Sequence, residues 1–266
     1  RGGVLSMMIR EVSKKTWLLW GLFVVLFLLS AMDLDYSGLS TFSLAMGRDV
    51  LKGLSQPDWS FFYDGSGEDL FSLLLLTIGI ACLGTMIATV LAIPITLLSA
   101  ANLWSATPWV AKIGKFICNV LRAFPELVYA IIFVKVVGPG PFAGVMAIGV
   151  HQIGMLGKLF TEEMEAMDER LTEEMQAVGA NFWQTMFFVR VPYLMPIYSS
   201  FALNHFEIAV RSAATLGLVG AGGIGAPLIF AIQTRTWSKV SIILIGVVIT
   251  VFALDQITGI IRKKLR

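Results

Sequence analysis

The sequence predicts an all-α, polytopic membrane helical bundle of about six transmembrane helices. Three observations carry this. Hydrophobic residues make up 56% of the 266 positions and charged residues only 14%, with a mean hydropathy of +0.79, whereas a soluble domain carries about 25% charged residues. The apolar residues are gathered into runs close to the ~20 residues that a helix needs to cross a bilayer. Lys and Arg are divided unevenly among the segments between those runs, as they are in multi-pass membrane proteins. The net charge of +2 is too small to argue for a nucleic-acid partner. Cys82 and Cys118 lie in apolar surroundings and read as two unpaired cysteines, with no disulfide or metal site. Arg1, Gly2 and Gly3 precede Met7 and Met8 and read as a tag remnant.

The first predicted span runs over 17–32, behind Arg10, Lys14 and Lys15; a cleaved signal peptide is the alternative reading of that segment. The second covers 70–100, with a kink expected at Pro94. The third covers 113–137 and is interrupted by Pro125 and Glu126. The fourth covers 142–160, the fifth opens at Pro192 and ends near Gly217, and the sixth covers 240–261. Six spans put both termini on one side. That side holds fourteen Lys and Arg against five on the other (Arg48, Lys52, Lys135, Arg235 and Lys239), so both termini are expected in the cytoplasm. The outer segment 33–69, with Asp33, Asp35, Asp49, Asp58, Asp64, Glu68 and Asp69, reads as an exposed loop with a short amphipathic helix.

One long charged interruption, Glu162 to Arg190, falls on the cytoplasmic side. Met164, Met167, Leu171, Met175 and Val178 recur at steps of three and four, which predicts one helix with a single apolar stripe. Gly179 supplies a helix stop. Asn181 followed by Gln184 resembles a capping box and opens a second short helix presenting Phe182, Trp183, Met186 and Phe187. The expected unit is a helix–turn–helix with an apolar knob. It either packs on its own bundle or docks in a partner's groove.

This segment also resembles the cytoplasmic loop of ABC importer permeases, Glu-Ala-Ala, three residues, Gly, nine residues, Ile-x-Leu-Pro. Glu173, Gly179, Val189, Val191 and Pro192 fill that pattern, with Glu174 and Met175 in place of the two alanines. RAFPELVYAIIFVKVVGPGPFAGV (122–145), HQIGMLGKLF (151–160) and HFEIAVRSAATLGLVGAGGIG (205–225) look like the phosphonate importer permease branch. The resemblance covers about 70–262 and contributes little over 1–69. It implies a type I ABC importer permease domain over 70–262, with an ATPase-coupling loop at 162–191, in a bacterial inner membrane. It further implies a homodimer, two copies of a cytoplasmic ATPase carrying the ATP and Mg, and a periplasmic substrate-binding protein. Glu173, Gly179, Phe182, Trp183, Phe187 and Pro192 become the expected coupling residues. The substrate implied is a phosphonate, with phosphite a close second and a methionine-type solute further away. No G-x-x-x-x-G-K-[ST] sequence is present, so the chain is not expected to be the ATPase, nor to bind a cofactor.

Ionisable residues within spans invite a functional reading because each costs about 2.5–3.5 kcal/mol on insertion scales. Asn204, Glu207, Arg211 and Thr215 recur at steps of three, four and four on one face of the fifth span. Glu207 and Arg211 are spaced for a helical ion pair. The face reads either as a neutralised pair holding the bundle or as a translocation-path lining, with Arg211 attracting an anion. Glu126 and His151 are further path candidates, and His151 and His205 also suit interhelical hydrogen bonding. GAGGIG (220–225) formally fits a dinucleotide fingerprint but follows a membrane helix rather than a strand. Its glycines are expected to permit close helix approach or a re-entrant turn. Two other classes fit the sequence less well. An intramembrane hydrolase lacks H-E-x-x-H and any Cys–His cluster, and an ion-coupled secondary transporter lacks an evident repeat.

Overall fold

The computed structural model describes residues 14–32, 34 and 43–265. It divides into two compact units, Arg1–Asp49 and Val50–Arg266. In the first, α1 (Lys14–Met32) contains the apolar run Thr16–Met32, and Leu18, Phe23 and Leu29 are all exposed. Asp33 and Asp35, with Arg1 and Arg10, lie outside the described residues. The expected amphipathic helix of the outer segment is α2 (Leu44–Leu54), which straddles the boundary between units.

The larger unit is helical throughout, with no strand among the described residues. Asp69 caps α3 (Leu70–Ser99), accepting the Ser72 N–H at 2.8 Å and, through its other oxygen, the Gly65 N–H. The helix continues through Pro94, and Thr77, Thr89 and Thr96 each return their hydroxyl to the carbonyl four residues back. Its small buried residues Ala81, Gly84, Ala88 and Ala92 form a stripe against α6 (Pro141–Ala166). A Cβ on Gly84 would lie 2.8 Å from Ile148 Cγ2, so the two helices meet almost backbone to backbone. The central element is α6: 61% of its apolar window is buried, against 33% for α3 and 28% for the last helix.

The predicted third span is two helices, α4 (Pro108–Ala123) and α5 (Glu126–Val137), neither long enough to cross alone. Phe124 is extended (ψ 133°), as the ring of Pro125 requires of the residue before it. Tyr129 donates its hydroxyl to the Leu121 carbonyl at 2.8 Å and satisfies one of the carbonyls left open where α4 ends.

The charged segment also differs from expectation. The apolar stripe of 164–178 is not on one helix: α6 ends at Ala166 and α7 begins at Arg170 (Arg170–Ala177). The Asp168 carboxylate accepts the Arg170 N–H and, at 2.8 Å, its guanidinium, giving the backbone an alternative to the helical ladder. Met164 and Met167 are buried, whereas Val178 is 79% exposed. Beyond the turn, α8 (Phe182–Thr185) runs through a π turn (Met186–Arg190) into α9 (Val191–Leu216), one apolar helical run over Phe182–Val219. Pro192 opens α9, which ends at Leu216 as expected, although the apolar helical run itself starts earlier, at Phe182. It sits in the first turn of α9, where its missing N–H is compatible with the wider π bonding just before it. After the glycines, a short helix absent from the sequence reading, α10 (Gly225–Gln233), precedes α11 (Trp237–Leu265). Among the described residues, four helical runs are thus long and apolar enough to span a membrane.

Candidate functional site

At one end of the bundle, the turn between α7 and α8 is built as its residues dictate. Gly179 adopts φ +85°. The Gly179 N–H bonds the Gln176 carbonyl and the Ala180 N–H bonds the Met175 carbonyl, a Schellman closure of α7. The expected capping box forms: Asn181 Oδ1 accepts the Gln184 N–H and Gln184 Oε1 accepts the Asn181 N–H, both at 2.9 Å. These two devices fix the start of α8 and hold out Phe182, Trp183 and Phe187, each more than half exposed. Trp183 packs on Phe187 with ring centroids 6.2 Å apart and on Phe182 at 5.4 Å. Met186, expected with them, is buried, and Phe188, unremarked in the sequence, is 74% exposed. Glu173 lies on α7 and Pro192 at the start of α9. In the linker, the Arg170 guanidinium holds the Asp168 carboxyl below its ordinary range, and Asp168 in turn raises Arg170.

The face of α9 is arranged differently from the sequence expectation. Glu207 does not pair with Arg211. Its carboxylate is buried and accepts the Thr258 hydroxyl and the Arg262 guanidinium, both from α11. Three residues turn a helix by about 300°, so Glu207 sits at the edge of the stripe and faces α11. Thr258 and Arg262, four residues apart there, present two donors together. Arg262 stands 55 positions from Glu207 in the sequence, among the basic residues that follow the last span, so spacing alone does not mark it as a partner. Arg211 and Thr215 are exposed, with Asn204 half-buried, and Arg211 has no ion-pair partner among the described residues. Ile208 and Leu218 extend this exposed strip.

Several polar atoms inside the bundle are orphaned. Glu126 Oε1, in the first turn of α5, and His151 Nδ1 are buried without hydrogen-bond partners. His151 faces Tyr129 with ring centroids 6.2 Å apart. Between α6 and α9, Tyr198 donates its hydroxyl to the Phe160 carbonyl at 2.8 Å and Gln152 donates to the His205 carbonyl at 3.0 Å, so His205 contributes backbone rather than imidazole. Gln152 was passed over in the sequence in favour of its neighbour His151. Its Oε1 is orphaned too.

The glycine-rich segment 217–225 closes the other end of α9. Gly220 (φ +86°) repeats the Schellman pattern, with Gly220 N–H to Gly217 and Ala221 N–H to Leu216. The segment is wedged among helices. Ile224 N–H donates to Thr77 Oγ1, Gly140 N–H donates to the Gly220 carbonyl, and a Cβ on Gly144 would lie 2.5 Å from the Ala221 carbonyl. It is a close-approach device, as expected, and no dinucleotide fold surrounds it. Cys82 and Cys118 are free.

Residues 92–266 match the family described as binding-protein-dependent transport system inner membrane component. The phosphate-import permease protein PhnE of Mycolicibacterium smegmatis is 34% identical over 76% of this chain, which spans only 38% of that relative's length. The phosphite transport system permease protein PtxC of Stutzerimonas stutzeri is 34% identical over 71% of this chain and 69% of its own. Among solved structures, a chain of the MetNI methionine ABC transporter superposes with a TM-score of 0.63 at 18% identity, covering 73% of this chain and 94% of that one. At that identity the likeness speaks for the fold alone. The family match and the PtxC relationship together show that the chain belongs to the binding-protein-dependent transport system inner membrane components.

Proposed function

We propose that the chain is the membrane-spanning permease subunit of an ABC importer that carries a phosphonate or a related small phosphorus oxyanion into the cell. ATP is hydrolysed by a separate cytoplasmic subunit, and solute is delivered by a periplasmic binding protein. The observation that carries the reading is the preformed aromatic knob, Phe182, Trp183 and Phe187, left uncovered at the end of a bundle of this family. A rigid helix end with exposed aromatics suits a groove in a partner, and here that partner is the ATPase. The chain lies in the inner membrane with α7, α8 and both termini on the cytoplasmic side, as the Lys and Arg distribution favours.

The exposed strip of α9 supports a second part of the proposal. A guanidinium facing lipid at that depth would be costly, so Arg211 faces a second copy of the chain across an aqueous path. There it attracts an oxyanion without the neutralising partner the sequence suggested. The phosphorus-oxyanion class is supported by the names of the phosphate and phosphite relatives and by the match of guanidinium geometry to oxyanions. Arg211→Ala is expected to lower uptake about tenfold, roughly 1.4 kcal/mol, with the ATPase still bound and ATP hydrolysis retained. Unchanged uptake would remove Arg211 from the path. The solute is read most directly from which ligand, methylphosphonate, phosphite or phosphate, stabilises the partner binding protein against thermal unfolding.

A further inference from the structure

Between α3, α9 and the knob lies an open groove of about 780 Å³, walled at the knob by the inner sides of Trp183 and Phe187. Its wall is apolar, with Ile93 and Leu97 on one side and Leu194, Met195 and Leu203 on the other. Ile93 also belongs to an exposed apolar stripe of α3, Leu83, Met86, Val90 and Ile93, so the groove opens onto a surface suited to lipid. One end is different. Arg190, in the π turn, lines the groove, and its Nη1 is buried with no hydrogen-bond partner. No carboxylate among the described residues lies within ion-pair distance of it. Trp183 borders the same end.

A buried guanidinium nitrogen without a hydrogen-bond partner is costly, and a purely apolar occupant would leave it so. The complementary occupant has an anion at one end and hydrocarbon behind it. From Arg190 to Leu203, α9 rises about 20 Å, comparable to one leaflet of a bilayer with a ~30 Å core plus its headgroup margin. Tryptophan at the same level matches the membrane–water boundary, and a volume of this size falls within the ~300–1,000 Å³ usual for ligand sites. We propose that the groove binds one anionic phospholipid, its acyl chains along α9 and its phosphate on the Arg190 guanidinium. The lipid then lies between the knob and the bundle and braces the π turn, so the docking helix moves with α9. Basic pockets between membrane helices bind anionic headgroups in this way.

The test uses the full chain with its co-expressed partner subunits, incorporated into nanodiscs of equal phosphatidylglycerol and phosphatidylcholine, extracted in mild detergent and weighed by native mass spectrometry. The wild type is expected to keep phosphatidylglycerol in several-fold preference over phosphatidylcholine. Arg190→Gln should abolish the preference, and Ala202→Trp, which fills the groove from α9, should lose retained lipid of both kinds. Millimolar inorganic phosphate should not displace the lipid. The proposal is overturned if the wild type retains no lipid, if retention is the same in both variants, or if free phosphate displaces the lipid from the site. It is equally overturned if Leu203→Cys cross-links to a second copy, which would put a protein helix in the groove. The readout is lipid mass, so this result stands or falls apart from the transport reading.

Discussion

The turns flanking the helical run Phe182–Val219 share one hydrogen-bond motif for different reasons. At Gly179 and at Gly220 a glycine with positive φ closes a Schellman pair. Around Gly179 the space is empty: a Cβ there would meet nothing within 4 Å. Around the second turn the neighbouring glycines are held by crowding, with a Cβ on Gly225 falling 2.1 Å from the Ala214 carbonyl and one on Gly222 2.8 Å from Pro141. The first turn demands a backbone conformation and leaves its helix free to meet another molecule. The second demands backbone contact and locks α9 to α3 and α6. A sequence shows the two as similar glycine stops, and only the surroundings separate an open turn from a packed one.

The sharpest way to break this comparison is Gly225→Val. The obstructing atoms are backbone, so no side chain can move aside, and overpacking of this kind costs about 1–3 kcal/mol or more. The detergent-solubilised protein is expected to lose its monodisperse peak on size exclusion; a wild-type profile would mean that the segment is not packed as described. Thr77→Val comes next. It keeps the volume but leaves the buried Ile224 N–H without its acceptor, a loss of about 1–3 kcal/mol, and should lower the thermal midpoint of the purified chain while preserving assembly. Gly179→Val should cost the fold least, on the order of 1–2 kcal/mol from the left-handed backbone alone. Its expected signature is functional: the chain inserts and the ATPase binds, yet ATP hydrolysis no longer drives uptake. Fully coupled transport by that variant would make the Gly179 turn another packing device.

How much of this could be read beforehand follows the same division. Local signals were legible. The Asn181–Gln184 box, the Gly179 stop, the pre-proline break at Phe124 and the start of α3 at Leu70 depend on residues within a few positions of one another. The predicted single helix over 162–178 failed because Asp168 bonds Arg170 and ends α6 early, a competition that hydrophobic periodicity does not register. The Glu207–Arg211 pair failed because the correct partner, Arg262, is 55 residues away on a neighbouring helix. The orphaned Nη1 of Arg190 was invisible for a similar reason. Its position in the motif is one whose identity the pattern leaves open, and its significance comes from the groove it lines.

The central claim is that the Gly179 turn presents an ATPase dock. It is tested most directly by affinity-purifying the chain from cells that co-express the ATPase, with Trp183 and Phe187 both replaced by alanine. The account predicts that the variant is inserted and monodisperse but arrives without the ATPase. Recovery of the ATPase at the wild-type ratio would contradict it.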